Sequence, residues 1–104
     1  MLQPFFIIAL ISGGQAFQGP VACMHIGYGK GVCGSSWKEK RTLLVPDVEL
    51  FPGHIACSSL SKSEVVVPIF RGEEVIAVLD IDSDKLATFD QTDKYWLEKI
   101  VKLL

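Results

Sequence analysis

Glu64-Val65-Val66-Val67-Pro68-Ile69-Phe70-Arg71-Gly72-Glu73-Glu74-Val75-Ile76-Ala77-Val78-Leu79-Asp80-Ile81-Asp82 is the stretch that decides the fold class. Branched and aromatic side chains dominate both halves, and Gly72-Glu73 separates them as a two-residue turn. It therefore reads as an antiparallel hairpin with strands at Glu64 to Phe70 and Glu74 to Asp82. Along the second strand, alternation puts Val75, Ala77, Leu79 and Ile81 on a core face. The other face reads Ile76, Val78, Asp80, Asp82, so both carboxylates project to one side, about 7 Å apart along the strand. A strand leaving the core often turns polar, and Asp82-Ser83-Asp84 fits such an exit. Asp80 does not, because core-facing Ile81 follows it. Two acids at a sheet rim can bind an ammonium group, or one can keep a proton for general-acid work.

Glu64 poses a register problem. With a regular two-residue turn it pairs opposite Ile81 and faces away from Asp80 and Asp82. Bringing the three together requires a bulge, or a Glu64 that precedes the regular ladder. Pro68 makes a bulge or an edge plausible, since it cannot donate a ladder hydrogen bond.

Outward from the hairpin, Asp90 is placed to cap a final helix. Its Trp96, Leu97, Ile100, Val101 and Leu104 recur at helical spacing on one face. Leu43-Leu44-Val45 is a brief strand stopped by Pro46, and Asp47 to Ser63 reads as a long loop. Ser35 or Ser36 is expected to cap a short helix running through Arg41. The glycine-rich Gly27-Tyr28-Gly29-Lys30-Gly31 lacks the Lys-Ser/Thr ending of a phosphate loop, so it reads as a flexible loop that lets Cys33 move. Val21 to Ile26 reads as a strand. Residues 5–11 are continuously apolar and fit either a buried strand turning at Gly13-Gly14 or the apolar core of a signal peptide without a basic start. They are too short to span a membrane. Antiparallel strands with a terminal helix and no internal repeat imply an α+β fold for residues 1–104 as one domain.

Composition narrows the function classes. The chain has 104 residues, 49% hydrophobic and 21% charged, which fits one domain and excludes disorder. Ten basic residues against twelve acidic ones argue against a nucleic-acid groove or a polybasic membrane patch. The three cysteines, Cys23, Cys33 and Cys57, are odd in number and widely spaced. That suits an intracellular protein with reactive thiols better than a disulfide scaffold. A zinc site built from Cys23, Cys33, Cys57 and His54 lacks the close cysteine pairs of structural sites, so no metal is expected. Three ordinary buried thiols are the alternative. His54, three residues before Cys57, either lowers that thiol's pKa or is held by backbone hydrogen bonds; His25 reads as structural.

Taken in order, Gly-Pro-Val-Ala-Cys23, Gly-Lys-Gly-Val-Cys33-Gly, Leu-Val-Pro-Asp-Val, Phe-Pro-Gly-His-Ile-Ala-Cys57 and Val-Leu-Asp80-Ile-Asp82-Ser resemble the GAF-domain family of free methionine-(R)-sulfoxide reductases. The likeness runs from about Phe17 to the end. It implies a GAF-like antiparallel sheet with a carboxy-terminal helix. It also implies Cys57 as nucleophile, Cys23 and Cys33 as resolving thiols, and Glu64, Asp80 and Asp82 lining the substrate pocket. The implied chemistry is thiolate attack on the sulfoxide sulfur, a sulfenic acid, then a disulfide. Thioredoxin is the implied external reductant, no bound cofactor is needed, and the implied setting is cytoplasmic. Family members are longer, with a helix before the first strand and a Trp and a Tyr closing the pocket. Against that pattern the chain is amino-terminally short, lacks the usual amino-terminal helix, offers only Phe5 or Phe6 in place of those aromatics, and has Ser58 where an Asp is usual.

Three functions are weighed on this basis. The first is the reductase; the second is a non-catalytic or small-molecule-sensing GAF module. The third is a secreted protein without its first sixteen residues, ranked last because cleavage would remove a strand that the resemblance puts inside the sheet. The mean hydropathy of +0.35 is high for a small soluble domain. It is accounted for by an apolar face near Trp96 and Ile100 that expects a cover, so the chain should self-associate, as in a homodimer, or be unstable alone.

Overall fold

The computed structural model describes residues 5–12, 15–18, 27–53 and 61–103, the first two stretches as backbone only. In chain order the elements are β1 (Phe5–Ser12), β2 (Gln15–Gln18), α1 (Gly31–Glu39), β3 (Leu43–Val45), β4 (Ser63–Arg71), β5 (Glu74–Ser83) and α2 (Gln91–Val101). The strands form one antiparallel sheet in the order β2-β1-β5-β4-β3. Residues 5–11 are therefore strand, paired to β5 from Phe5 opposite Asp82 to Leu10 opposite Ala77. The readings of Gly13-Gly14 as a turn and of Val21 to Ile26 as a strand lie outside the described residues.

The hairpin forms as its sequence requires. Gly72, with φ of +63°, takes the left-handed turn position that a side chain would strain. The valine runs of β4 and β5 fill both faces of the sheet. Val66, Val75 and Val78 pack with Val32, Leu43, Val45 and Val48 on the side of α1. Val65, Val67, Ile69, Ala77 and Leu79 pack with Val101 on the side of α2. Burial on both faces is why these strands read as nearly continuous apolar runs. β3 pairs only with Glu64 to Val66, so Pro68 stands beyond its reach, where a missing N–H is tolerated.

A bulge sits at the step from Ile69 to Phe70. Phe70 faces Val75 and Ile69 faces Ala77, leaving Ile76 as the extra residue of β5. Two consequences correct the regular alternation. Val75 joins the α1 side with Val78, and Ile76 turns to the α2 side with Ala77 and Leu79.

Helix α1 begins at Gly31, four or five residues before the serines expected to cap it. Lys30 is the N-cap, with no side-chain hydrogen bond, and the helix ends at Glu39 rather than Arg41. The glycine loop is tied down rather than loose: the Gly29 N–H donates to the Gly34 carbonyl (2.9 Å) and the Lys30 N–H to that of Gly27 (3.0 Å). A Cβ on Gly34 would lie 2.0 Å from the Gly27 oxygen, so glycine is what lets loop and helix meet. Tyr28 and Trp37 stack edge-to-face across the same junction at 5.0 Å. Ser36 serves the far end instead, its hydroxyl donating to the Arg41 carbonyl (2.8 Å). The stretch read as a long loop opens with a 3-10 turn at Val48–Leu50, capped by Asp47.

α2 is capped as expected, by a reciprocal box of Asp90 and Asp93. Its inward face is narrower than the periodicity implied. Leu97 and Val101 reach the core, while Trp96 and Ile100 stay 56% and 50% exposed. The apolar patch near Trp96 and Ile100 is thus present, with Tyr95 beside Trp96 and the Lys99 ammonium 4.7 Å from the Tyr95 ring. Among the described residues, no helix is long and apolar enough to cross a membrane.

Candidate functional site

Glu64, Asp80 and Asp82 meet on the α1 side of the hairpin because of the bulge. One extra residue in β5 moves Glu64 from opposite Ile81 to opposite Asp82, and Val66 to opposite Asp80. The three carboxyl groups then share a face and are buried, at 5%, 5% and 7% exposure. Val66 and Val78 continue that face toward the turn.

Cys33 closes the cluster from above. It is the third residue of α1, which packs across β4 and β5. Its Sγ, a Glu64 oxygen and an Asp80 oxygen all lie within 4.8 Å of one another. The thiol is in no disulfide and is partly buried. A helix N-terminus favours a thiolate, but here it loses to stronger opposing effects. Burial, and then the negative charges of Asp80, Glu64 and Asp82, hold the Cys33 thiol well above its ordinary pKa.

The carboxyl groups constrain one another. Glu64 and Asp80 share a hydrogen bond, as do Asp80 and Asp82. A carboxylate only accepts, so each such contact needs a proton. Burial pushes Asp80 well above the usual carboxylate range, and its hydrogen bond to Glu64 adds to the shift. Burial likewise raises Glu64 to about 7, although accepting from Asp80 works the other way. Asp80 thus holds its proton more tightly than an ordinary carboxyl group. Asp82 also accepts from the Ser61 hydroxyl at 3.1 Å. The cluster combines a proton donor with carboxylates able to take up a cationic group, in a site largely closed to water.

Of the expected site residues, Cys33, Glu64, Asp80 and Asp82 come together. Cys23, Cys57, His25, His54 and Ser58 lie outside the described residues. Phe5, not Phe6, stands opposite Asp82 in the ladder. Two features escaped the sequence reading. Ser61 bonds Asp82 from a segment read as loop. The direct proximity of Cys33 to Glu64 and Asp80 also went unread; the available signal was the i, i+4 pairs Val32–Ser36 and Cys33–Trp37, which turn one helix face to the sheet. A cavity of about 490 Å³ lies on the other side, between α2 and β4 near Thr42, Val67 and Glu98, and shares no residue with the carboxyl cluster.

An antiparallel sheet with α1 and α2 on opposite faces, and an acid cluster under α1, defines a small α+β domain with a buried acidic site. The chain belongs to the GAF domain family, whose model matches residues 4–104. It is 60% identical over 88 residues to GAF domain-containing protein A of Dictyostelium discoideum, covering 85% of this chain and 56% of that protein. It is 51% identical over 89 residues to the free methionine-R-sulfoxide reductase of Saccharomyces cerevisiae, covering 85% of this chain and 49% of that one. Its fold matches the X-ray structure of free methionine-R-sulfoxide reductase from Neisseria meningitidis in complex with its substrate. That match has a TM-score of 0.88 and 44% identity, over 95% of this chain and 64% of that one. The chain thus spans about half the length of the curated relatives it matches.

Proposed function

We propose that this chain reduces free methionine-(R)-sulfoxide to methionine. The observation that carries the reading is the buried convergence of Cys33, Glu64, Asp80 and Asp82, in a chain half identical to a reductase of that name. Glu64 and Asp82 take the substrate ammonium group, which selects the free amino acid over a methionine within a chain. Cys57 is the nucleophile. Its thiolate attacks the sulfoxide sulfur while Asp80 gives its proton to the sulfoxide oxygen. The adduct, joined by a bond between the Cys57 sulfur and the substrate sulfur, passes its hydroxyl to the Cys57 sulfur as that sulfur–sulfur bond and the substrate sulfur–oxygen bond break. Methionine leaves, Cys57 is left as a sulfenic acid, and the substrate has gained the two electrons that the thiol lost. Cys23 or Cys33 then condenses with the sulfenic acid, releasing water and leaving a disulfide. An external dithiol of the thioredoxin kind reduces that disulfide.

The second reading is a GAF module that binds a small molecule without turnover. It draws on the 60% identity to a relative named only for its GAF domain. One assay separates the two: consumption of free methionine-(R)-sulfoxide in the presence of a dithiol, with Cys57→Ser as control. The reductase reading predicts turnover that the substitution abolishes. No turnover by wild-type protein, or equal turnover by the variant, refutes it.

A further inference from the structure

We propose that Cys33, Glu64 and Asp80 form a binding site for a divalent cation of borderline softness, of the zinc and cadmium kind. The ligand set differs from the Cys23, Cys33, Cys57 and His54 combination considered from the sequence, because two of its members are carboxyl groups. One donor comes from each of three elements, α1, β4 and β5, and the three donor atoms lie within 4.8 Å of one another. Four-coordinate zinc, with bonds of about 2.0–2.3 Å, sets its ligands roughly 3.3–3.8 Å apart, so closure needs a contraction of about 1 Å.

A second observation points the same way. Asp80 is 5% exposed, and its Oδ1 is buried without a hydrogen-bond partner among the described residues. A buried acceptor left unpaired costs on the order of 1–3 kcal/mol, so it commonly marks a place where something binds. The chemistry of the set then selects the ligand. An ammonium group would satisfy the carboxylates but has no use for the adjacent sulfur. A hard cation such as magnesium wants oxygen alone. One thiolate with two carboxylates suits zinc or cadmium, with a fourth position left for water or an anion. Binding involves no redox change: the protons of the thiol and the carboxyl group pass to solvent as the metal–sulfur and metal–oxygen bonds form. The cation shares Glu64 with the substrate ammonium group placed above. Competition between the two rests on the reductase reading; the metal site does not.

The test uses a chain in which Cys33 is the only thiol, carrying Cys23→Ser and Cys57→Ser, kept reduced and titrated with cadmium chloride. The expected result is a saturable thiolate-to-cadmium charge-transfer band at one cadmium per chain, weakened at least about tenfold by adding Asp80→Asn or Glu64→Gln. Circular dichroism checks that each variant is folded. Thermal unfolding of the wild-type chain with and without zinc reads the same site with every cysteine in place: zinc should raise the midpoint, and Asp80→Asn should remove most of that rise. A folded single-thiol chain without a saturable band overturns the proposal. So does an affinity indifferent to both carboxyl substitutions, which would leave a lone thiol as the binder. Because the titrated chain lacks Cys57, its outcome is independent of whether the protein turns substrate over.

Discussion

On the α2 side of the β4–β5 hairpin, Val65, Val67, Ile69, Ala77 and Leu79 meet Leu97 and Val101 in an apolar cluster. On the α1 side the same two strands carry Val66, Val75 and Val78 and then, toward the open end, Glu64, Asp80 and Asp82 beneath Cys33. One face is a packed core. The other begins as core and ends as a crowded set of acids whose protons are held by burial. Strand alternation alone would not produce the second face, since it sends Glu64 away from the aspartates. The inserted Ile76 creates it, so a single residue with no chemistry of its own assembles the site.

The largest expected effect follows from that residue. Deleting Ile76 restores a regular ladder and returns Glu64 to a position opposite Ile81. Either the cluster loses Glu64, or one end of β5 turns its core residues outward. A destabilisation of more than about 4 kcal/mol is expected, read as loss of the cooperative transition in chemical unfolding. A deletion variant that unfolds like wild type would mean that the bulge is dispensable.

Next in size is a pH effect confined to the acid face. The Glu64 carboxyl group holds its proton up to about 7, against an ordinary value of 4.5. Its contribution to stability is therefore whole at and below the ordinary value and is lost as the pH rises through about 7. The unfolding midpoint should fall between about pH 5 and about pH 8, and Glu64→Gln should flatten part of that slope. An unchanged slope would show that Glu64 is ionised in the folded chain.

Smaller still is a paired substitution, one on each face. Val67→Ala on the α2 side should cost about 2 kcal/mol, for lost transfer energy and a cavity. Asp80→Asn, equally buried, should leave stability near neutral pH unchanged or improve it, because an amide donates to Glu64 without an ionisable group to bury. Equal losses from both would erase the distinction between a face that stabilises and a face that is maintained for chemistry.

Much of this was legible in the sequence. The hairpin, β3, the Asp90 cap and the Asp80–Asp82 pair follow from short-range patterns: a glycine turn, branched residues, a capping side chain and period-two alternation. Three features did not. The bulge appears only as a register conflict over Glu64; where the extra residue lies depends on which side chains the two helices cover. The start of α1 was misplaced because its termination of the loop relies on backbone contacts that Gly34 permits, and a glycine carries no capping signal. β2, only Gln15-Ala16-Phe17-Gln18, is a strand by virtue of its pairing with β1 and has no apolar alternation to announce it. Trp96 and Ile100, which helical periodicity sets on one face with Leu97 and Val101, stay exposed as the high hydropathy implies, while α2 turns Leu97 and Val101 to the sheet.

The assignment of the acid face as the place where a free amino acid is held has one direct test. Cys57→Ser protein, expected to bind without turnover, is titrated calorimetrically with free L-methionine-(R)-sulfoxide and with its N-acetylated form. Saturable binding of the free amino acid is predicted, with the acetylated form at least about tenfold weaker because its charged ammonium group is gone. Equal affinity for the two, or no binding of either, would contradict it.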